Sequence, residues 1–256
     1  MKLIDSHVHL DDPRFDPDRD AVIQRARAAG IIAQIIPGVT ESRCETACQI
    51  AREHSDIFVA YGLHPMFMEE HQTDHLDVLR ARVAQCQPVA IGECGLDFYS
   101  GDEDKTAQID CFQAQIEIAR EHDLPLILHV RKALDQVTAI LAASGHHKGV
   151  LHSFSGSEQQ AKRLLDLGYH ISLGGPVTYS RAKRLRRLIA ALPLDAFLLE
   201  SDAPDQPGSL HQGQRNEPAY LSEALATFVQ LRKQTAETIA AATTQNAIKL
   251  FKLPTI

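Results

Sequence analysis

Eight short apolar runs, separated by longer amphipathic stretches, constrain this chain more than any other feature. The runs occupy residues 3–10, 31–37, 57–63, 89–91 leading to Asp97, 124–130, 149–154, 170–173 and 197–199 leading to Pro204. They are rich in Ile, Val and Leu and nearly continuous, as strands covered on both faces should be. The stretches between them predict helices over 17–29, 41–54, 106–122, 132–144, 157–167, 180–192, 218–231 and 236–251. Thr40, Ser157, Ser180 and Thr235 stand where helix N-caps are expected, and Gly30 and Gly168 where helices should stop. Eight strands alternating with eight helices in 256 residues predict an α/β fold, a (β/α)8 TIM barrel filling residues 1–256 as one domain. An open doubly wound sheet is the alternative, but no Gly-x-Gly-x-x-Gly turn follows the first run. Residues 205–217 read as a long loop after the eighth strand, at the end of a barrel where loops shape sites.

Polar residues interrupt these runs at their C-terminal ends. His7 and His9 stand two apart in the first run, so on a strand both side chains point to one side, with Asp5 on the same parity. Taken alone, the pair fits either a metal site or ordinary histidines. His64 follows the third run, Glu93 lies in the fourth, His129 ends the fifth, His152 the sixth, and Asp202 follows the eighth. In a barrel those ends meet at one mouth. Burying such groups without partners costs several kcal/mol each, on the order of the penalty for any unpaired polar group. A shared metal removes that cost. The nitrogen-rich set with carboxylates suits Zn, Mn, Fe, Co or Ni, with Mg less natural. Six ligand residues exceed what one tetrahedral ion needs and suit two divalent ions sharing a carboxylate.

The motifs Asp5-Ser-His-Val-His, Gly62-Leu-His-Pro, Gly92-Glu-Cys-Gly-Leu-Asp, Leu128-His, His152-Ser-Phe-Ser-Gly, Leu199-Glu-Ser-Asp-Ala-Pro and Thr244-Gln-Asn-Ala-Ile-Lys-Leu-Phe resemble the TatD family of metal-dependent deoxyribonucleases. That family lies in the amidohydrolase superfamily, and the resemblance within it is to the YjjV branch. It implies one metal held by His7, His9 and Glu93 with Asp202 at or near it. It implies a second metal held by Glu93, His129 and His152, with Glu93 bridging. It implies that Asp202 orients the attacking water and accepts its proton. Cys94, Ser201 and Glu217 depart from the usual family residues without removing a ligand. The implied substrate is DNA, single-stranded or at frayed 3' ends. Small-molecule amidohydrolase or phosphoesterase chemistry is the rival, and a noncatalytic metal-binding protein a third.

His64 and Arg131 are the candidates for contacting phosphate, Arg131 because it follows His129 by two and carries a planar fork of donors. Arg131 could instead pair with Glu200. Glu200 is expected in a structural ion pair or behind a ligand, and Asp97 behind a ligand or capping a turn. Cys94 should point away from the mouth into packing. His146, His147, His71 and His75 are expected in exposed loops or turns. The basic run 181–187 predicts a charged surface helix, with Tyr179 before it able to stack on a base. A net charge of −7 and 5% aromatics give no general attraction to nucleic acid or anionic membranes. The five cysteines, Cys44, Cys48, Cys86, Cys94 and Cys111, lack paired spacing and predict reduced thiols in a cytoplasmic protein. No signal peptide, membrane span or obligate protein partner is expected.

Overall fold

Strand follows strand in chain order around a barrel, each parallel to the last. The computed structural model describes residues 1–101 and 104–254. The strands are β1 (Leu3–Asp5), β2 (Ile31–Pro37), β3 (Ile57–Tyr61), β4 (Ala90–Asp97), β5 (Leu126–Arg131), β6 (Gly149–Leu151), β7 (Tyr169–Leu173) and β8 (Phe197–Leu199). Backbone bonds just beyond β1 bring the first and last strands together. Ser6 N–H donates to the Leu199 carbonyl, Asp202 N–H to His7, and His9 N–H to Ala203, all between 2.8 and 3.0 Å. The sequence expectation of a (β/α)8 TIM barrel holds.

The helices are α1 (Arg19–Ala28), α2 (Glu41–Glu53), α3 (His75–Cys86), α4 (Lys105–Glu121), α5 (Leu134–Ser144), α6 (Glu158–Asp166), α7 (Lys183–Ala191), α8 (Leu221–Arg232) and α9 (Ala236–Phe251). Thr40, Ser157 and Thr235 cap α2, α6 and α9, and Ser157 with Gln160 forms a full capping box. Gly30 and Gly168 take φ of +91° and +87° just past α1 and α6, the left-handed turn that ends a helix.

Two features of the helix pattern differ from expectation. Between β3 and β4 stands α3, where the sequence pattern predicts a loop, while α8 and α9 both follow β8 as predicted. Only Leu79 and Val83 of α3 are buried, its N-cap makes no side-chain bond, and the left-handed Gln87 ends it in place of glycine. A thin apolar stripe without stop signals leaves little periodicity to detect. Ser180 is not a cap: α7 begins at Lys183, because Ala182 and Lys183 first turn back onto Tyr179 and Arg181.

The barrel interior is filled by Ile4, Ala33, Ile35, Ala60, Ala90, Ile127, Val150 and Leu198, packed with Ala247, Phe251 and Leu253 from the C-terminal end of the chain. A larger apolar layer, including Phe112, Phe154, Tyr169, Phe197 and Phe228, lies between strands and helices. No helix among the described residues is long and apolar enough to cross a membrane.

Candidate metal centre

Strand alternation carries the interior pattern up to the mouth. His129 is two residues beyond the interior Ile127 and His152 two beyond Val150, so each shares the inward parity of its strand, whereas Asp202 lies past the end of β8 with φ of +55° and is turned inward by that backbone. Beneath them, β3 and β4 approach very closely. A Cβ on Gly62 would lie 2.5 Å from the Gly92 carbonyl carbon and 2.8 Å from the Glu93 nitrogen. Glycine at 62 allows the contact that sets Glu93 beside His64, while a Cβ on Gly92 would meet Ile127 of β5.

Glu93 is buried at the centre, and its two oxygens face different imidazoles. Oε2 lies 3.1 Å from His7 Nε2 and 3.6 Å from His9 Nε2. Oε1 lies 2.8 Å from His152 Nε2, 3.1 Å from His129 Nδ1 and 3.0 Å from His64 Nε2. Asp202 Oδ1 stands 3.5 Å from His7 Nε2 and 3.6 Å from His9 Nε2. The donor atoms of His7, His9 and Asp202 all lie within 4.8 Å of one another, as do those of His64, Glu93 and His129. His7, Glu93 and His152 form a set of the same kind that joins these two groups.

This donor set fits metal ions. His129 Nε2 lies 2.8 Å from Asp97 Oδ2. A carboxylate only accepts, so Nε2 carries the hydrogen, and in the neutral ring Nδ1 presents a lone pair. That lone pair faces Glu93 Oε1 and, at 3.3 Å, His152 Nε2. Facing acceptors repel unless a proton or a cation lies between them. His7 Nε2 and His9 Nε2 converge in the same way, 3.2 Å apart.

The electrostatics follow from the same crowding. Burial pushes the Glu93 carboxyl up, but His152, His64 and His7 outweigh it and hold Glu93 well below the ordinary carboxylate range. Burial, reinforced by His152, takes His7 down to about 4. For Asp202, burial is the largest effect. The His152 imidazole opposes it, Glu93 adds to it, and the carboxyl stands at about 7.

Other expected residues sort by what they touch. His64 is buried; its Nδ1 accepts from Met66 N–H at 3.0 Å, leaving Nε2 to donate to Glu93. Arg131 lies exposed at the mouth, its guanidinium 3.4 Å above the Tyr99 ring, and borders a cavity of about 260 Å³ shared with His129 and His152. Glu200 does not pair with Arg131. It accepts from the Ser153 amide and the Ser172 hydroxyl, and its Oε1 lies 4.0 Å from His152 Nδ1. Asp97 serves in both expected ways, bonding His129 and accepting from Tyr99 N–H. Asp5 accepts from the His7 and Ser201 amides, tying β1 to β8. Cys94 is buried with Sγ near the Ile127 carbonyl, as expected.

Three histidines depart from the surface reading. His146 is buried between the Tyr169 hydroxyl and the Leu124 carbonyl, His71 reaches the His64 carbonyl, and His75 opens α3. A polar turn looks exposed in sequence, and its cover comes from residues distant in the chain, Tyr169 and Leu124. His147 is exposed as expected. In the basic run, Arg181 lies over the Tyr179 ring, Arg184 bonds the Ser155 carbonyl and Arg186 the Val177 carbonyl. The Tyr179 hydroxyl is held by the Pro207 carbonyl.

Sequence reasoning did not single out Ser153, Gln206 or Asn216. Gln206 bonds Asp202, and Asn216 donates to the carbonyls of Ser201 and Asp205, pinning loop 205–217.

Comparison with known proteins agrees with the geometry. The TatD related DNase family model matches residues 4–252. The chain is 38% identical over 256 residues to YjjV of Escherichia coli (strain K12), described as an uncharacterized metal-dependent hydrolase, with 99% of each chain covered. The crystal structure of that protein superposes with a TM-score of 0.95, covering 98% of both chains. The 3'-5' ssDNA/RNA exonuclease TatD of Erwinia tasmaniensis is 35% identical, covering 98% of this chain and 100% of its own. A double mutant of an organophosphorus hydrolase from Deinococcus radiodurans, 16% identical with a TM-score of 0.69, shares the fold over 97% of this chain and 92% of its own. The chain belongs to the TatD family of metal-dependent hydrolases.

Proposed function

We propose that this chain hydrolyses phosphodiester bonds in DNA, at single-stranded or frayed 3' ends. His7, His9 and Glu93, with Asp202, would hold one divalent ion, and Glu93, His129 and His152 a second. The observation that carries this reading is the division of Glu93, with Oε2 turned to His7 and His9 and Oε1 to His129 and His152. When bound, divalent ions supply Lewis acidity that lowers the pKa of water and offsets charge growing on phosphoryl oxygens. Asp202 orients the attacking water through Oδ1 and takes its proton. Asp97 fixes the His129 ring so that Nδ1 faces inward. Arg131, at the rim of the cavity, offers a forked donor to a phosphate, with the His64 ring beside Glu93 below it.

The relative named an ssDNA/RNA exonuclease supports a nucleic-acid substrate. The mouth cavity, about 260 Å³, also suits a small phosphoester or amide, which is the second reading. Purified protein loaded with Mn²⁺ or Mg²⁺ should shorten end-labelled single-stranded DNA, and Asp202→Ala should abolish this with the fold intact. Intact DNA alongside hydrolysis of small amides or esters would favour the second reading and remove the first.

A further inference from the structure

Gln206 has been given no part in holding metal or substrate, yet it touches Asp202 directly. Its Nε2 donates to Asp202 Oδ2 at 2.5 Å, and its Oε1 accepts from the Ser153 hydroxyl at 2.8 Å. Ser153 N–H donates in turn to Glu200 Oε1 at 2.6 Å, and Glu200 accepts from the Ser172 hydroxyl. A line of hydrogen bonds therefore runs from Asp202, through the loop after β8, to the loop after β6 and back to the buried strand ends.

Backbone conformation marks the same residues. Asp202, Ser153 and Gln206 have φ of +55°, +46° and +51°. Such conformations are unfavourable for residues with a Cβ and persist where the surroundings fix them. Of the other non-glycine residues with positive φ, Gln87, Asp123, Lys233 and Lys252 stand at helix C-termini, where the conformation is ordinary, and Lys132 lies between β5 and α5. Asp202, Ser153 and Gln206 end no helix and are bonded to one another.

The two oxygens of Asp202 have different surroundings. Oδ1 faces His7 and His9, and Oδ2 lies on Gln206. A carboxylate turns about a single bond, so holding one oxygen fixes the direction of the other. We propose that Gln206 is a positioning residue that clamps Asp202, keeping Oδ1 turned to the histidine pair and the attacking water. The assignment rests on the reading of Asp202 as the group that orients that water. Glutamine suits the task because its amide offers a donor for Asp202 and an acceptor for Ser153 at once.

The test uses Gln206→Met, which keeps the length and loses both bonds, with Gln206→Ala as a second variant should Met disturb the loop. On a single-stranded oligonucleotide with Mn²⁺, kcat should fall roughly 10–100-fold, the range for losing a group that orients a ligand or catalytic side chain. KM should stay within about twofold, as for an interaction realised in the transition state, and metal content per chain should not change. An unchanged kcat, or a raised KM with kcat intact, would overturn the clamp. A crystal structure of Gln206→Met provides a readout without turnover. Asp202 should be found turned or in more than one orientation, and a single unchanged orientation would also overturn the proposal. If wild-type protein leaves DNA intact, the nuclease reading falls and this structural readout still decides the clamp.

Discussion

Asp97 Oδ2 lies 2.8 Å from His129 Nε2, on the side of the imidazole away from Glu93. This bond decides which nitrogen faces the centre. Asp97→Asn can turn an N–H toward that nitrogen and favour the opposite tautomer. Metal affinity at the His129 side should drop by about 10–100-fold, the usual range for losing a partner of a ligating histidine. Competition titration with a chelating dye measures this. Unchanged affinity would remove Asp97 from the centre.

Gly62 and Gly92 set the floor of the site. A Cβ at position 62 meets three consecutive backbone atoms of β4 at 2.5–2.8 Å, and backbone cannot yield as a flexible side chain can. Gly62→Ala should destabilise the fold by roughly 1–3 kcal/mol, as overpacking does, and displace Glu93. Denaturant unfolding reads the first effect and metal content the second. A variant with wild-type stability would show that the two strands part without cost.

His146 lies away from the mouth, in the turn before β6, and contributes to stability in a pH-dependent way. Burial is the main cause that lowers its pKa below 6.5, against the raising effect of the Leu124 carbonyl. The unfolded chain therefore binds a proton there more readily than the folded one as pH falls. Its contribution should be complete above the unfolded value of 6.5 and be lost as pH drops from there through the folded pKa. The stability difference between wild type and His146→Gln should shrink between about pH 7 and pH 5, the span in which histidine titrates. A difference independent of pH would show that His146 does not titrate below its unfolded value.

Asn216 holds the long loop after β8 by donating to the carbonyls of Ser201 and Asp205, each at 2.8 Å. Asn216→Ala leaves the buried Ser201 carbonyl without that donor, at about 1–3 kcal/mol for a buried group left unpaired, while the carbonyl of the exposed Asp205 can turn to water. Loop 205–217 should become a site of limited proteolysis at protease levels that leave wild type intact. Equal resistance would show that other contacts hold the loop.

Much of this was legible in the chain because two physical codes are local. Alternation put His129 and His152 on the inward parity of their strands, and capping chemistry marked Thr40, Ser157 and Thr235. The missed elements lack those codes. Helix α3 buries only Leu79 and Val83 and has neither a side-chain cap nor a terminal glycine. His146 is covered by Tyr169, 23 residues away. The bond from Ser153 to Gln206 spans 53 residues and depends on two left-handed backbones that no spacing rule reveals. Likewise His64 could be placed at the mouth from its strand, but its bond to Glu93 required the closeness of Gly62 and Gly92.

The most direct measurement of the central claim is an anomalous-scattering map from crystals of wild-type protein loaded with Mn²⁺. Two peaks are expected on opposite sides of the Glu93 carboxylate, one among His7, His9 and Asp202 and the other among His129 and His152. A single peak, or two peaks that Glu93 does not join, would contradict the shared two-ion centre.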